Sequence, residues 1–406
     1  MNKTQIEKEI VDLLKRGVIS EITHKDYWIN LLLEGKCKFY IGIDPTNDKY
    51  HIGHLVPYIL ALRLLKLGAK GVILVGGFTG KVGDPSFRNK ERPLLETEVV
   101  ADNTHKLLDK LKNLFRSYPE EITYTNNANW LDQMTLANFL NYSSHMSANK
   151  ILKMEHIKNR LEEELPLSFQ EVCYTLLQAI DFKILYEKEG VNLQIGGNDQ
   201  WINILNGVNL IHKMDNAQVI GITLQLLLTK QGKKMGKTES GALWADGSLH
   251  IYEFWQYWRN VADEDVKTLF YTFSFRAIED IEKILQEEDI NQVKILLANE
   301  ITTLIYGADS EKQIEDIRDN KEISVLLSED VKDILNILIV LGFITNRSEG
   351  KRQIEAGAVR IDNEKITNNI SVYDLPDIFI ITLGKNKKAK VSIPIYTINN
   401  EKIIIE

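Results

Sequence analysis

Short apolar runs alternate with longer stretches of helical spacing through the first half of the chain, and this alternation restricts the fold more than any other feature. Three runs are closed by Gly, Asp or Pro and predict buried strands: CKFYIGI, GVILVGG and VNLQIGG. Three other stretches have helical spacing: HLVPYILALRLLKLG, EVCYTLLQAIDFKILYEKEG and DQWINILNGVNLIHK. Strand–helix–strand alternation predicts an α/β fold, a Rossmann-like, doubly wound parallel sheet with helices on both faces.

The ends of the predicted strands are the expected place for a ligand. Ligands of open parallel sheets bind beyond the carboxyl ends of the strands. The segments Asp44-Pro45-Thr46, Gly76-Gly77 and Gly196-Gly197 stand at the ends of the three predicted strands. We therefore expect these segments to converge on one site.

Changes in sequence character divide the chain into successive segments. Residues 1–225 are the predicted Rossmann-like domain, and the alternation weakens around 113–166, which indicates an inserted helical connective segment. Residues 226–247 form a lysine-rich loop that acts as a linker, and 248–328 are predicted to be all-helical. Residues 331–406 combine a basic helix, a short strand and a hairpin, which predicts a small α+β domain.

The composition is that of a globular protein in a reducing compartment. Of the 406 residues, 44% are hydrophobic and 26% are charged, and the two cysteines, Cys37 and Cys173, each lie in an apolar stretch. This cysteine usage argues against a disulfide framework or a zinc site. The apolar runs are shorter than the roughly 20 residues of a membrane span, and the first residues lack a signal core. We expect a cytoplasmic protein without membrane association.

Charge is distributed unevenly along the chain. The net charge is −8, which argues against a surface built throughout for nucleic acid. From Val331 to the end, 11 Lys/Arg stand against 9 Asp/Glu, so this tail carries +2 and the remainder −10. A basic region at one end of an acidic body permits RNA binding there.

His51 and His54 allow three interpretations. As a metal site the pair is weak, because H-x-x-H here lacks both the glutamate of H-E-x-x-H and a nearby third ligand. The histidines alternatively cap the helix that follows the turn. In the third interpretation they meet phosphate, because free backbone N–H groups and the positive end of the helix dipole favour anions at a strand-to-helix turn. Gly53 then allows a nucleotide to approach the backbone closely.

Two polar loops are further candidates. The loop LVGGFTGKVGDPSFRNKER follows a strand and carries Asp84 with Arg88 and Arg92. It is either a solvated glycine loop or a loop that binds a ligand. It is not a P-loop, because no G-K-[ST] opens a helix. The loop LTKQGKKMGKTESG contains four lysines between glycines. On its own it is typical of a solvated turn, and together with the histidine turn it indicates a clamp for polyphosphate.

Tyr174, Gln178 and Asp181 stand at positions i, i+4 and i+7 of a predicted helix and so share one stripe. Polar side chains at core spacing are unfavourable unless a ligand, or a structural hydrogen-bond network, satisfies them. Asp199 and Gln200 begin a helix after a Gly-Gly turn, where they either cap the helix or hold ribose hydroxyls.

Several of these motifs occur together in one known family. His51-Ile52-Gly53-His54 matches the H-I-G-H signature, and Lys234-Met235-Gly236-Lys237-Thr238 matches the K-M-S-K-S loop of class I aminoacyl-tRNA synthetases. The motifs YIGIDPT, GDPS, Y-x-x-x-Q-x-x-D and GGNDQW narrow the likeness, so that the chain resembles a bacterial-type tyrosyl-tRNA synthetase over essentially its whole length. The resemblance implies that the α/β domain is catalytic, that 248–328 is an anticodon-binding-type domain and that 331–406 binds RNA.

The resemblance also implies roles for individual residues. In the tyrosine pocket, Tyr40 and Asp181 would bind the phenol hydroxyl, and the full set is Tyr40, Asp44, Thr79, Asp84, Tyr174, Gln178, Asp181, Gln194 and Gln200. The implied ATP-binding residues are Gly42, His51, Gly53, His54, Gly197, Asp199, Lys234, Met235 and Lys237. The implied catalytic residues are Thr46, His51, His54, Arg88, Arg92, Lys234, Lys237 and Thr238. The candidates for tRNA contact are Arg347, Lys351, Arg352 and Arg360, for which a solvated helix face is the alternative.

The implied reaction joins L-tyrosine to tRNA(Tyr) through tyrosyl-adenylate, with ATP as a substrate that carries Mg²⁺ and with no metal held by the protein. The implied assembly is a homodimer. The sequence departs from the family pattern at Phe78, Arg88, Asn198 and Ile202, which leaves the contacts around the last two open. The alternatives are an adenylyl or cytidylyl transferase, a tryptophanyl relative, and an RNA-binding protein on a scaffold that has lost catalysis.

Overall fold

The computed structural model describes residues 2–86, 95–229, 232, 235–238, 241–318, 331–376, 378–384, 387–392, 395–398 and 401–404. Contacts divide the chain into two compact units. The first contains Met1–Leu249 and Tyr257–Ile305, and the second contains His250–Gln256 and Tyr306–Glu406. The four-segment division inferred from the sequence stays a prediction.

A six-stranded sheet organises the first unit. Its strands are β1 (Ile19–Ile22), β2 (Lys38–Ile43), β3 (Lys70–Val75), β4 (Ile122–Asn126), β5 (Leu193–Gly197) and β6 (Ile220–Leu224). The order across the sheet is β1-β6-β5-β2-β3-β4, and all neighbours are parallel except β1, which runs antiparallel to β6. The predicted α/β fold is confirmed. The strand β4 lies inside the stretch 113–166 that was predicted to be a helical insertion.

The chain direction across the sheet reverses between β2 and β5. From β2 the chain proceeds to β3 on one side, whereas β5 and β6 lie on the other side. The two strands pair only through Phe39 with Leu193 and Tyr40 with Gln194, and they part beyond these residues. A reversal of this kind opens a crevice at the carboxyl ends of the strands, where ligands of doubly wound sheets bind.

Helices connect the strands and continue through the second half of the chain. In chain order they are α1 (Lys3–Lys15), α2 (Lys25–Leu33), α3 (Ile52–Lys66), α4 (Thr79–Val82), α5 (Thr97–Leu114), α6 (Ala128–Leu131), α7 (Leu136–Ser144), α8 (Ala148–Leu152), α9 (Glu155–Glu162), α10 (Phe169–Glu189), α11 (Trp201–Asp215), α12 (Ile251–Arg259), α13 (Val266–Phe273), α14 (Ile278–Glu287), α15 (Ile290–Tyr306), α16 (Ser310–Arg318), α17 (Ile334–Val340) and α18 (Arg347–Glu355). Within the described ranges, none of these helices is long and apolar enough to cross a membrane.

The helix α10 illustrates how local sequence sets an element that carries the site. A capping box starts it, because Ser168 accepts from the Glu171 N–H and the Glu171 side chain accepts from the Ser168 N–H. Gly190 ends it with φ +67°, a left-handed conformation that favours glycine. Between these caps the helix packs along α11 and buries residues such as Phe182 and Leu185 under the sheet. The predicted stop at Gly190 is confirmed.

The second unit contains a small antiparallel sheet. Strands β9 (Val359–Ile361), β10 (Glu364–Lys365), β11 (Ile378–Leu383) and β12 (Lys387–Ser392) are ordered β10-β9-β11-β12. The helices α17 and α18 pack with them around one hydrophobic core. Two short hairpins complete the strands among the described residues: β7 (Lys237–Thr238) with β8 (Gly241–Ala242), which belongs to the first unit, and β13 (Ile395–Ile398) with β14 (Glu401–Ile404).

Candidate active site

The crevice between β2 and β5 widens into a cavity of about 480 Å³. The ends of β2, β3 and β5 all contribute to its wall, so the predicted convergence of the strand ends is confirmed. The site residues predicted from the sequence that line this cavity are Tyr40, Gly42, Asp44, Thr46, His51, Gly53, His54, Thr79, Asp84, Tyr174, Gln178, Asp181, Gln194, Gly197, Asp199, Gln200 and Met235. Arg88, Arg92 and Lys234 lie outside the described residues, and Lys237 and Thr238 are described by their backbone alone.

The polar stripe of α10 faces the cavity with all three residues, Tyr174, Gln178 and Asp181. Asp181 is buried, and its Oδ1 accepts a hydrogen bond from Trp130 Nε1 at 2.8 Å while its Oδ2 accepts from Asn127 Nδ2 at 3.0 Å. Burial raises the pKa of Asp181 to about 7, although these two hydrogen bonds favour the charged carboxylate. Each carboxylate oxygen has a second lone pair, so Asp181 can accept one more donor from a ligand.

Three buried polar atoms near Asp181 have no hydrogen-bond partner among the residues that the structure describes. They are the Tyr40 hydroxyl, Gln178 Oε1 and Gln194 Oε1. Burial, together with the charge of Asp181, raises the pKa of Tyr40 far above its ordinary value, so its hydroxyl stays protonated. An unsatisfied buried polar group costs about 1–3 kcal/mol. This part of the cavity is therefore complementary to a ligand that has polar groups of its own.

Asp44 organises the neighbouring wall. Its Oδ1 accepts from Thr79 Oγ1 at 2.7 Å, and its Oδ2 accepts from the Tyr174 hydroxyl at 2.8 Å. Asn127 Nδ2 also donates to Thr79 Oγ1 at 2.9 Å, which joins the Asp44 and Asp181 networks. Gly76 leaves room for these bonds, because a Cβ there would lie 2.1 Å from Asp44 Oδ1. The carboxylate is thus held by side chains from two different helices.

A third carboxylate, that of Asp84, lines the cavity and is held by hydrogen bonds. Gln200 Nε2 donates to Asp84 Oδ2 at 2.7 Å, and the Ser86 N–H donates to Asp84 Oδ1 at 2.9 Å. Asp199 stands beside Gln200 on a 3₁₀ turn after β5, and Gly197 closes that strand. A Cβ at Gly197 would lie 2.5 Å from Asp199 Oδ1, so a larger residue there would displace the Asp199 side chain. Gln200 Nε2 also donates to Asp199 Oδ2 at 3.3 Å, so Asp84, Asp199 and Gln200 form one hydrogen-bonded group.

The two histidines start α3 and also line the cavity. The Gly53 N–H donates to His51 Nδ1 at 3.1 Å, and the His51 N–H donates to His54 Nδ1 at 3.3 Å. The rings stack with centroids 3.8 Å apart. Because Nδ1 accepts a hydrogen bond in both rings, the ring proton of each neutral histidine lies on Nε2. Capping thus uses Nδ1 of each ring and places the ring proton on Nε2, so the capping and phosphate interpretations are compatible.

The lysine-rich loop reaches the cavity through Met235 and Gly236. The Met235 N–H donates to the Leu227 carbonyl at 2.9 Å, and the Gly236 carbonyl accepts from the Leu243 N–H at 2.6 Å. Gly236 has φ +78°, and a Cβ there would lie 2.5 Å from Ile52 Cγ1. Within the described ranges, the structure contains no group of three or more His, Cys, Asp and Glu residues that could hold a metal ion.

Two residues of the site were missed by sequence reasoning. Asn127 lines the cavity, and both Asn127 and Trp130 donate to Asp181. They are more than 50 residues from Asp181 in the chain and follow β4, which was not recognised as a strand. The available signal was the position of Asn126-Asn127 at the end of the β-rich run Ile122–Asn126, since such ends line the site of a parallel sheet.

The candidate tRNA-binding residues lie in the second unit. Arg347 starts α18 and forms an ion pair with Asp333, and this pair holds the pKa of Arg347 above its ordinary value. Arg360 Nη1 donates to the Asn363 carbonyl at 3.1 Å. Lys351 and Arg352 are exposed on α18, and no ion pair joins them to another described residue. Arg347 therefore has a structural contact, whereas Lys351 and Arg352 remain available for a partner.

Comparison with known proteins identifies the family of the chain. Residues 33–320 match the family described as tRNA synthetases class I (W and Y). The chain therefore belongs to the class I aminoacyl-tRNA synthetases, in the family of tyrosyl-tRNA synthetases. The tyrosine–tRNA ligase of Novosphingobium aromaticivorans is 37% identical over 383 residues, which cover 90% of this chain and 93% of that protein.

Two further similarities extend over most of the chain. The tyrosine–tRNA ligase of Paracoccus denitrificans is 35% identical over 405 residues, which cover 94% of this chain and 97% of that protein. A C-terminally truncated mitochondrial tyrosyl-tRNA synthetase from Aspergillus nidulans superimposes with a TM-score of 0.69 and 27% identity, covering 78% of this chain and 96% of that one.

Proposed function

We propose that this chain is a tyrosine–tRNA ligase, which activates L-tyrosine with ATP and transfers it to tRNA(Tyr). The observation that carries the proposal is the buried carboxylate of Asp181 beside the Tyr40 hydroxyl, which has no partner among the described residues. The phenol hydroxyl of tyrosine can donate to Asp181 and accept from Tyr40. Phenylalanine and tryptophan lack a hydroxyl at that point and would leave both groups unsatisfied.

The α-ammonium group of tyrosine would bind near the other carboxylates that line the cavity. Tyr174, Gln178 and Asp84 would hold the α-ammonium group, with Thr79 and Gln200 placed beside them. Asp44 and Gln194 complete the lining. A cation surrounded by carboxylates and hydroxyl or amide oxygens is well stabilised in a partly buried site. The pocket therefore selects a zwitterionic amino acid as well as its side chain.

The adenylation step needs no nucleophile from the protein. An oxygen of the tyrosine carboxylate attacks the α-phosphorus of ATP, the new P–O bond forms, and the bond to pyrophosphate breaks with pyrophosphate as the leaving group. In the second step a ribose hydroxyl at the tRNA 3′ end attacks the activated carbonyl and AMP leaves. Catalysis then consists of holding the reactants in line and stabilising charge on phosphate oxygens.

The nucleotide end of the cavity suits that task. Gly42, Gly53, Gly197 and Asp199 would accommodate adenosine, while Thr46, His51 and His54 would donate to the phosphates of the ATP–Mg²⁺ complex. The side chains expected to close on pyrophosphate are Arg88, Arg92, Lys234, Lys237 and Thr238, with Met235 in the same loop. Cationic groups there would stabilise negative charge as pyrophosphate departs.

The tail and the insertion suit the partners of such an enzyme. Lys351, Arg352 and Arg360 are exposed in the second unit and would contact tRNA phosphates, with Arg347 contributing from its ion pair.

Large apolar side chains are exposed between α7 and the start of α10, at Leu136, Leu140, Leu152, Leu161 and Phe169. Exposed apolar surface of this kind favours a protein interface, and we propose a homodimer. The cytoplasmic location stays a prediction.

Amino-acid-dependent exchange of pyrophosphate with ATP, measured for all twenty amino acids, tests the proposal. We expect exchange with tyrosine alone. Exchange with tryptophan, or with no amino acid, would contradict it.

The role of the tail is tested in the full-length chain. Lys351→Ala combined with Arg352→Ala should leave tyrosine-dependent exchange unchanged and raise the KM for tRNA about tenfold, with a shallower dependence on salt because fewer phosphates are neutralised. The control is Lys332→Ala, which removes a charge from the same unit outside α18. An unchanged KM for tRNA in the double variant would remove these residues from the interface.

A further inference from the structure

The helix α5 presents two long polar side chains toward the turn that precedes the histidines. Asn103 and Lys110 are seven residues apart, so they lie on the same side of the helix two turns from each other. Asn103 Nδ2 donates to the Pro45 carbonyl at 3.0 Å. The adjacent stripe of the helix is anchored in the core, where Leu107 and Leu111 are fully buried. The position of Lys110 is therefore fixed by a well-packed helix.

The Lys110 ammonium contacts two segments that are far apart in the chain. Its Nζ donates to the Asp48 carbonyl at 2.8 Å and lies 2.8 Å from Asp246 Oδ2. The Asp246 side chain is completely buried, and its other oxygen accepts from the Ser248 hydroxyl at 2.6 Å. Lys110 thus supplies the positive charge next to a buried carboxylate. Removing one partner of such a pair lowers the stability of the fold considerably, because the other charge is left buried and unpaired.

The same two segments are joined by their backbones. The Ile52 N–H donates to the Leu243 carbonyl at 3.1 Å, and the Ala245 N–H donates to the Tyr50 carbonyl at 2.9 Å. Leu243 in turn bonds to Gly236 of the lysine-rich loop. The turn that carries the histidines and the end of the lysine-rich loop therefore form one short ladder, and Lys110 contacts the chain on both sides of it.

We propose that Lys110 is a positioning residue for the adenylation step, which holds the histidine turn and the lysine-rich loop in register through Asp48 and Asp246. The inference rests on the proposed function, since both segments line the part of the cavity assigned to ATP. Lys110 itself is not among the residues that line the cavity, so it acts through the segments that it joins. A displacement of about 1 Å in groups that contact the reacting phosphate costs up to about 100-fold in rate.

The test compares Lys110→Met with Lys112→Met. Methionine keeps an unbranched side chain of similar length without the charge. Lys112 lies on the same helix but is exposed and pairs with exposed Asp109. We expect Lys110→Met to lower kcat for tyrosine-dependent exchange about tenfold per titrated active site, with the KM for tyrosine changed by less than about twofold. Lys112→Met should match the parent. An equal kcat in Lys110→Met and the parent would overturn the proposal.

A second measurement does not depend on activity. Hydrogen exchange at the Ile52 and Ala245 amides should be faster in Lys110→Met and unchanged in Lys112→Met, because the ladder loses its external support. A parent enzyme without tyrosine-dependent exchange would contradict the proposed function alone, whereas unchanged protection of both amides would overturn the role of Lys110.

A double variant in which both charged partners become neutral separates an effect on stability from an effect on positioning. Lys110→Gln combined with Asp246→Asn leaves no unpaired buried charge, so the thermal midpoint should return toward that of the parent. If Lys110 positions the loops, kcat stays low in this double variant. Recovery of kcat together with the thermal midpoint would show a purely structural residue and would overturn the proposal.

Discussion

The two ends of the cavity are built from different kinds of contact. At the amino-acid end, side chains bond to side chains: Asp181 to Asn127 and Trp130, and Asp44 to Thr79 and Tyr174. At the nucleotide end, backbone hydrogen bonds join the histidine turn to the lysine-rich loop, and backbone N–H groups of the turn donate to Nδ1 of the two histidine rings.

This difference matches the two tasks. Recognition of a hydroxyl group requires polar side chains that are already fixed when the substrate arrives, because any mismatch then leaves buried groups unsatisfied. Stabilisation of a departing pyrophosphate requires hydrogen-bond donors that are carried by a fixed main chain. Their polar atoms must remain directed to the negative charge that develops. Under the proposed function, the amino-acid end would determine specificity and the nucleotide end would determine rate.

The largest expected effect breaks the amino-acid end. Asp181→Ala removes the acceptor for the phenol hydroxyl, and it also leaves the N–H groups of Asn127 and Trp130 without their partner. We expect the ratio of kcat/KM for tyrosine over phenylalanine in pyrophosphate exchange to fall about 100-fold, with the KM for ATP close to that of the parent. An unchanged ratio would remove Asp181 from the phenol site.

A smaller effect is expected at the nucleotide end. Asn is a favourable N-cap, so His51→Asn should keep α3 and the thermal midpoint, while it loses the ring Nε2–H. We expect kcat for exchange to fall about 30-fold, with the KM for tyrosine within about twofold. His24→Asn, which removes a histidine before α2 that lies outside the cavity, is the control. A rise in the KM for tyrosine together with the loss of kcat would contradict the assignment of different tasks to the two ends.

The smallest expected effect is a pH dependence confined to the amino-acid end. Burial raises the pKa of Asp181 to about 7, so the carboxylate that accepts the phenol hydroxyl becomes protonated as the pH falls below that value. We expect kcat/KM for tyrosine to fall about tenfold between pH 8 and pH 6, and this component should be absent in Asp181→Asn. A parallel pH dependence in that variant would assign the titration to another group.

The Asp181 carboxyl is expected to change the free energy of unfolding with pH in the opposite direction. With its pKa raised on folding, Asp181 binds a proton more tightly in the native state than in the unfolded chain, so its contribution to the free energy of unfolding decreases as the pH rises from about 4 to about 7. Asp181→Asn should therefore gain stability relative to the parent at pH 8 and less at pH 5. Chemical denaturation at the two pH values measures the difference.

Local spacing predicted the elements that carry the site. The stop at Gly190, the strand runs around Tyr40 and Gln194 and the stripe of α10 all depend on residues that are close in sequence, and the structure contains them at these positions. The strand β4 escaped prediction because Ile122–Asn126 alternates less clearly and is partly exposed at the edge of the sheet. With β4 missed, Asn127 could not be placed at a strand end.

Long-range contacts explain what else was missed. Nothing in the spacing around Trp130 indicates that its indole N–H meets a carboxylate 51 residues later. Lys110 likewise resembles any surface lysine of an amphipathic helix until the fold brings Asp246 next to it. In the tail, Arg347 was assigned to tRNA contact from its position in a basic helix, and its ion pair with Asp333 depends on how that helix packs.

The early parting of β2 and β5 has a consequence for redesign. The strands share only two residue pairs, ending at Tyr40 and Gln194, and the side chains of both residues line the cavity where this pairing stops. The depth of the amino-acid pocket is therefore set by the Tyr40 side chain of β2 together with the Asp181 side chain of α10. Variants that accept longer tyrosine analogues should be sought at these two positions together, one on a strand and one on a helix.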